Sequence, residues 1–78
     1  MIVEHKIRLT YPAHLLSQPL LYQLIRQYDL FTNILRADVT AETGRLTLEI
    51  RGEDESVQKG LSWLAEQGVQ VEILGEAP

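Results

Sequence analysis

An α+β fold, with four antiparallel strands and two helices on one face of the sheet, is what three observations in the sequence predict. Apolar and polar residues alternate with a period of two in several short stretches, as half-buried strands require. Two other stretches carry apolar residues at the spacing of one helix face. Glycine, proline and clustered acid fall between these stretches, where turns and helix starts need them. The 78 residues leave room for one domain, 1–78, expected to be ordered over about residues 2–75.

Val3, His5, Ile7, Leu9 and Tyr11 alternate with Glu4, Lys6, Arg8 and Thr10, which predicts a first strand with its odd positions facing the core. Pro12 ends it, because proline has no N–H for a ladder. Ser17-Gln18-Pro19 marks a helix start, and Leu20, Leu21, Leu24, Ile25 and Tyr28 follow as one apolar stripe. Asp29 to Thr32 breaks that helix. Leu35, Ala37 and Val39 then alternate with Ile34, Arg36, Asp38 and Thr40 as a second strand, and Glu42-Thr43-Gly44 turns the chain, with Gly44 free to take a positive φ. Leu46, Leu48 and Ile50 form the third strand, which Gly52 ends. Glu53 to Ser56 places acid at a helix N-terminus, with Asp54 as the expected cap and Val57, Leu61, Leu64 and Ala65 as the buried face. Gly68 is the expected left-handed stop. A last strand runs from Val69 to about Leu74 with Val71 and Ile73 inward, and Gly75 to Pro78 forms a tail. Right-handed crossovers between these elements place strands 1 and 3 in the centre and strands 2 and 4 at the edges. The βαββαβ order is that of the ferredoxin-like plait, which hosts many unrelated functions.

Composition removes several classes of function. The chain has no cysteine, so disulfide scaffolds, thiol nucleophiles, thiolate-held iron–sulfur clusters and zinc ribbons do not arise from it. No apolar run approaches the roughly 20 residues that span a bilayer, and Met1–Thr10 does not read as a signal peptide, so a cytoplasmic domain with no membrane insertion is expected. A net charge of −4 argues against a nucleic-acid domain, which presents a basic stripe. Some plaits bind RNA on the open face through aromatics on the central strands. Here those positions are Glu4, Lys6, Arg8, Thr10, Thr47, Glu49 and Arg51, which offer no stacking platform.

No catalytic or metal constellation emerges. His5 and His14 are the only imidazoles, nine positions apart and without ligand spacing, and they read as a strand histidine and a loop histidine. Ser17, Ser56 and Ser62 lack the nucleophile turn. Glu53-Asp54-Glu55 reads as complementation of a helix dipole rather than a calcium loop, which needs more oxygens at set spacing. The five glycines never form a phosphate-cradling loop. The sequence therefore points to a non-enzyme with no cofactor.

Two residues stand apart. Asn33 falls, by parity, with Leu35, Ala37 and Val39 on the helix-facing side of strand 2. It reads either as a residue bonding its local backbone where the loop joins the strand, or as a polar anchor on an edge that invites a partner strand or ligand. Trp63 lies about a third of a turn from Val57 around the second helix, expected in the groove between helices or at the sheet margin. An interface role is open to it.

Taken together, the chain resembles the NIL domain family, named for the tripeptide that stands here as Asn33-Ile34-Leu35. The resemblance spans almost the whole chain. It includes Ile7-Arg8-Leu9-Thr10, Gln18-Pro19-Leu20-Leu21 with Leu24, Ile25 and Arg26, and Thr32-Asn33-Ile34-Leu35. It continues through Gly44, Gly52, Trp63-Leu64 and the ending Gly68-Val69-Gln70-Val71-Glu72-Ile73-Leu74. It implies a ferredoxin-like plait close to the ACT amino-acid sensors. The family occurs as the C-terminal regulatory domain of methionine importer ATP-binding subunits, where paired domains bind methionine and inhibit transport. It also occurs beside ferredoxin-type modules in proteins linked to homocysteine biosynthesis. The short connection Thr40–Arg45, with one glycine, resembles the second setting, yet no cysteine and no nucleotide-binding part accompanies it, so a free-standing domain is expected.

The resemblance implies a regulatory, non-catalytic homodimer that binds methionine or homocysteine. In the importer branch the asparagine of the motif contacts methionine, and Asn33 is the matching position. Ile34 and Leu35 follow as backbone or partner-strand contacts, and Arg36 as a partner for a carboxylate. Pairing through strand 2, with Ile34 and Leu35 at the seam, would cover an unpaired edge. The alternative is an interaction module or small subunit that docks on a protein of sulfur-amino-acid metabolism, through Trp63 or an edge strand, without binding a small molecule.

Overall fold

The computed structural model describes residues 1–76. Strand β1 spans Ile2–Pro12, a 3-10 turn Ala13–Leu15, helix α1 Leu20–Tyr28, β2 Phe31–Val39, β3 Thr43–Glu53, α2 Asp54–Gln67 and β4 Gln70–Glu76. The strands form one antiparallel sheet in the order β2-β3-β1-β4. This is the ferredoxin-like plait, with β1 and β3 central and both helices on one face.

The alternation in β1 has its expected result. Ile7, Leu9 and Tyr11 are buried, opposite Leu48, Leu46 and Gly44 of β3. Leu48 and Ile50 join them beneath Leu20 and Leu24 of α1 and Val57, Leu61 and Leu64 of α2. Val71 and Ile73 share a side with Leu9 and Ile7, their partners in β1. Gly68 closes α2 at φ 104°, its N–H donating to the Leu64 and Ala65 carbonyls.

Several local expectations need correction. Gly44 is not a turn residue; it has no positive φ and lies buried within β3. Its missing side chain makes room for Leu16, whose Cδ2 stands 2.6 Å from where a Cβ would be. The turn before it is held by Thr40, whose Oγ1 accepts the N–H of Glu42 at 3.2 Å and of Thr43 at 3.1 Å. Asp54 does not cap α2: Glu53 holds that position without a side-chain bond, and β3 runs through Gly52 to Glu53. Asp54 and Glu55 still complement the dipole from the first turn. Lys59 Nζ donates to Glu55 Oε1 at 2.9 Å one turn on, and this hydrogen bond holds the Glu55 carboxyl below its ordinary pKa and the Lys59 ammonium above it. Ala65 is exposed, and the buried face of α2 is Val57, Gly60, Leu61 and Leu64. Gly75 and Glu76 continue β4 past a register shift opposite Lys6 and Ile7, so the strand is longer than expected. The remainder of the expected tail, Ala77 and Pro78, lies outside the described residues.

Between α1 and β2 the break is shorter than Asp29–Thr32. Asp29 takes the left-handed conformation at φ 55° and ends α1, Leu30 is buried, and β2 begins at Phe31. Most of β2 is exposed; of its nine residues only Thr32 is half-buried.

Candidate functional site

A register shift in β2 decides which residues meet at the Asn33 position. Ile34 pairs with Leu48 and Arg36 with Thr47, leaving Leu35 as an extra residue between them. Such a bulge reverses side-chain parity along the strand. Downstream, Ala37 and Val39 oppose Leu46 and Gly44 on the helix side, as expected. Upstream the assignment inverts. Ile34 opposes Leu48 on the helix side, and Asn33 opposes Glu49 on the open face. The expectation that Asn33 shares a face with Leu35, Ala37 and Val39 is therefore corrected.

On the open face the Asn33 Nδ2 donates to Glu49 Oε1 at 3.1 Å. The amide thus bridges to the neighbouring strand instead of bonding its own backbone. Around this pair lies a shallow cleft of about 160 Å³, lined by Glu4, Phe31, Thr32, Asn33, Glu49 and Arg51. Glu4 and Arg51 face one another across β1 and β3, and Phe31 opposes Arg51 from β2. The cleft therefore holds carboxylates, a guanidinium, an amide and an aromatic ring, with Phe31 71% exposed. Carboxylates bind ammonium groups, guanidinium binds carboxylates, and an exposed ring offers apolar contact.

Arg36 is not part of this group. Its Nε donates to Asp38 Oδ2 at 2.8 Å, and both side chains are mostly exposed. Exposed pairs of this kind contribute little, so Arg36→Ala is expected to change stability by less than about 0.5 kcal/mol in urea unfolding. Ile34 and Leu35, 50% and 48% exposed, sit on the free edge of the sheet. Trp63 lies elsewhere, half-buried in the helix layer, with its ring centroid 6.3 Å from that of Tyr28 at an interplanar angle of 54°. Ile34 and Leu35 thus share one edge, and Trp63 belongs to a separate surface.

Glu4, Phe31, Glu49 and Arg51 were not singled out as site residues from the sequence. The outward parity of Glu4, Glu49 and Arg51 is readable, whereas Phe31 falls in the expected break after α1, and their meeting with Asn33 depends on the register of β2 against β3. Among the described residues no cluster of His, Asp and Glu has the arrangement of a metal site, and no helix is long and apolar enough to cross a membrane.

The fold has clear counterparts. The C-terminal domain of an ABC transporter ATP-binding protein from Enterococcus faecalis superposes with a TM-score of 0.79 at 17% identity, covering 94% of this chain and 86% of that one. A de novo designed protein, Foldit4, gives a TM-score of 0.58 at 10% identity, covering 99% of this chain and 100% of the design. At these identities the likeness concerns the fold alone. By sequence, the methionine import ATP-binding protein MetN of Helicobacter hepaticus is 43% identical over 75 residues, 90% of this chain and 20% of that protein. MetN of Coxiella burnetii is 30% identical over 73 residues, 88% of this chain and 21% of that protein. The chain thus spans about a fifth of the length of the curated relatives it matches. The NIL domain model matches residues 5–73, and the chain belongs to the NIL domain family.

Proposed function

We propose that this domain is a non-catalytic, cytoplasmic regulatory module that senses a sulfur-containing amino acid, methionine foremost, as a dimer paired through β2. The observation that carries the reading is the kinship with methionine import ATP-binding proteins across 90% of the chain. The cleft supports it chemically. A free amino acid brings an ammonium group for Glu4 or Glu49 and a carboxylate for Arg51, and a thioether packs well against an exposed ring such as Phe31. Asn33 adds an amide that donates and accepts. The free edge of β2, with Ile34 and Leu35 half-exposed, supports pairing. A ligand that contacts both copies would favour the paired arrangement by its differential affinity.

The test is a thermal-shift series with methionine, homocysteine and cystathionine, run on the native chain and on Asn33→Ala. At a ligand concentration of 100 Kd the expected stabilisation is about 2.7 kcal/mol, which raises the Tm of a domain this small by about 10–20 °C. In Asn33→Ala the rise should shrink or vanish. No rise with any of the three compounds would remove the sensor reading. It would leave an interaction module or small subunit in homocysteine or methionine metabolism, whose stability responds only to its protein partner.

A further inference from the structure

On the open face of the sheet, Asn33 of β2 and Lys6 of β1 stand on either side of Glu49 in the central strand β3. Glu49 is half-buried, and the strands paired to β3 on both sides hold its backbone in place. Its Oε1 accepts the Asn33 Nδ2–H at 3.1 Å. This bond fixes the direction of the amide as well as its position. An ionised carboxylate only accepts, whereas an amide has one donating end and one accepting end. The Asn33 Nδ2 must therefore face Glu49, and Oδ1, on the other branch of the same planar group, is turned away from it. Asn33 is exposed, and its Oδ1 takes part in no hydrogen bond among the described residues. Arg51, two positions along β3 from Glu49, is the diagonal neighbour of Asn33 on this face, and such neighbours stand about 7–8 Å apart. Arg51 forms no ion pair among the described residues, although Glu4 is its register partner in β1. The cleft thus offers an acceptor oxygen and a guanidinium at a separation that suits the ammonium and carboxylate of one α-amino acid.

We infer that Glu49 is a positioning residue: it turns the Asn33 amide so that Oδ1 meets the ligand's ammonium, and the cleft thereby selects free α-amino acids over the corresponding 2-oxo acids. The inference rests on the sensor reading above and adds which end of Asn33 recognises the ligand. An ammonium carries three donors, so it can meet Oδ1 and a carboxylate of the cleft at once. A 2-oxo acid brings a carbonyl oxygen to the same place. Two acceptors then face each other, and both lose water without gaining a bond. With Glu49 removed, the amide is free to rotate and present Nδ2 to the oxo group, and the selection relaxes.

The experiment is calorimetric titration of the full chain with methionine and with 4-methylthio-2-oxobutanoate, its 2-oxo acid. The native chain should bind methionine at least about tenfold more tightly than the 2-oxo acid. Glu49→Ala should weaken methionine binding by about tenfold, as for the loss of one hydrogen bond. Glu49→Gln, whose amide oxygen still accepts from Nδ2, should stay within about threefold of the native chain. In the paired exchange Asn33→Asp with Glu49→Gln, the introduced amide donates to the introduced carboxylate, which still presents an oxygen to the ligand. Methionine binding should therefore persist in the exchange. Circular dichroism and Tm check that each variant is folded, as substitutions on an open face should be. If Asn33 instead recognised the ligand by donating, the exchange would set a carboxylate against the ligand's acceptor and abolish binding. That result, or equal losses in Glu49→Ala and Glu49→Gln, would overturn the inference and leave methionine sensing standing. A native chain that binds the 2-oxo acid as tightly as methionine would overturn it too, and a native chain that binds neither would remove the sensor reading along with it.

Discussion

Leu24→Ala is expected to remove about 3–5 kcal/mol of folding stability, the upper part of the range for buried leucines. Leu24 is fully buried on the inner face of α1 and meets Gly60 of α2, where its Cδ1 stands 2.8 Å from the position a Cβ would take. Large-to-small substitutions cost least where neighbours collapse into the void. Here the facing residue is a glycine and has no side chain with which to do so. A 78-residue domain has a total stability of only about 4–12 kcal/mol at the usual value per residue, so one truncation would remove at least about a quarter of it. With a urea m-value near 1 kcal/mol/M for a chain this small, the unfolding midpoint should fall by about 3 M or more. Trp63, packed beside Tyr28 in the same helix layer, is a convenient fluorescence reporter.

A second substitution distinguishes this explanation from generic core damage. In the native chain, Gly60→Ala forces a methyl against Leu24 and Leu30, which offsets the helix-propensity gain of about 1 kcal/mol. In the Leu24→Ala background the obstruction from Leu24 is gone. The same Gly60→Ala change should then recover about 1 kcal/mol or more, a coupling that a double-mutant cycle measures directly. Additive effects would show that Gly60 and Leu24 do not share the same space.

Leu35→Lys is expected to separate the two copies of a β2-paired dimer. Leu35 stands at the bulge on the sheet's free edge and is 48% exposed, so the folded single chain should tolerate lysine. In a symmetric pair the substitution acts twice. Each copy would lose the burial of an apolar side chain, worth about 1.5–3 kcal/mol, and two ammonium groups would approach across the seam. The total, about 3–6 kcal/mol, weakens association by roughly 100-fold to 10,000-fold. Sedimentation equilibrium should find the native chain dimeric at concentrations where Leu35→Lys is a monomer with unchanged circular dichroism. A native chain that sediments as a monomer at every concentration, with or without methionine, would end the strand-paired reading.

Strong periodicity made most of the fold readable before the structure. Ile7, Leu9 and Tyr11, and Leu48 and Ile50, alternate cleanly because the sheet's inner face is packed by helices and its outer face is not. Where side chains carry little hydropathy signal, the reading failed for identifiable reasons. Gly60 and Gly44 are buried where neighbours fill the space of a side chain, which polarity alone does not reveal, so hydropathy points to Ala65 as core and to Gly44 as turn. Asp29 reads as a loop residue, but its single left-handed step reverses the chain at once and leaves Leu30 to be buried. The candidate cleft is half readable. Asn33 stood out, whereas its partner Glu49 lies sixteen positions away, on a strand whose register against β2 contains an extra residue.

The extra residue at Leu35 also divides the labour of β2. Arg36 to Val39 keep the ordinary register with β3, and the side chains upstream of the bulge have the opposite parity. The two halves can therefore vary under separate constraints. Val39 lines an apolar groove beneath α1 with Leu16, Leu21 and Leu46, while Phe31 and Asn33 border the charged cleft on the other face. Substitutions at Phe31 or Asn33 can therefore alter the cleft without disturbing the groove. In that sense Asn33-Ile34-Leu35 marks a joint in the backbone as much as a set of three side chains.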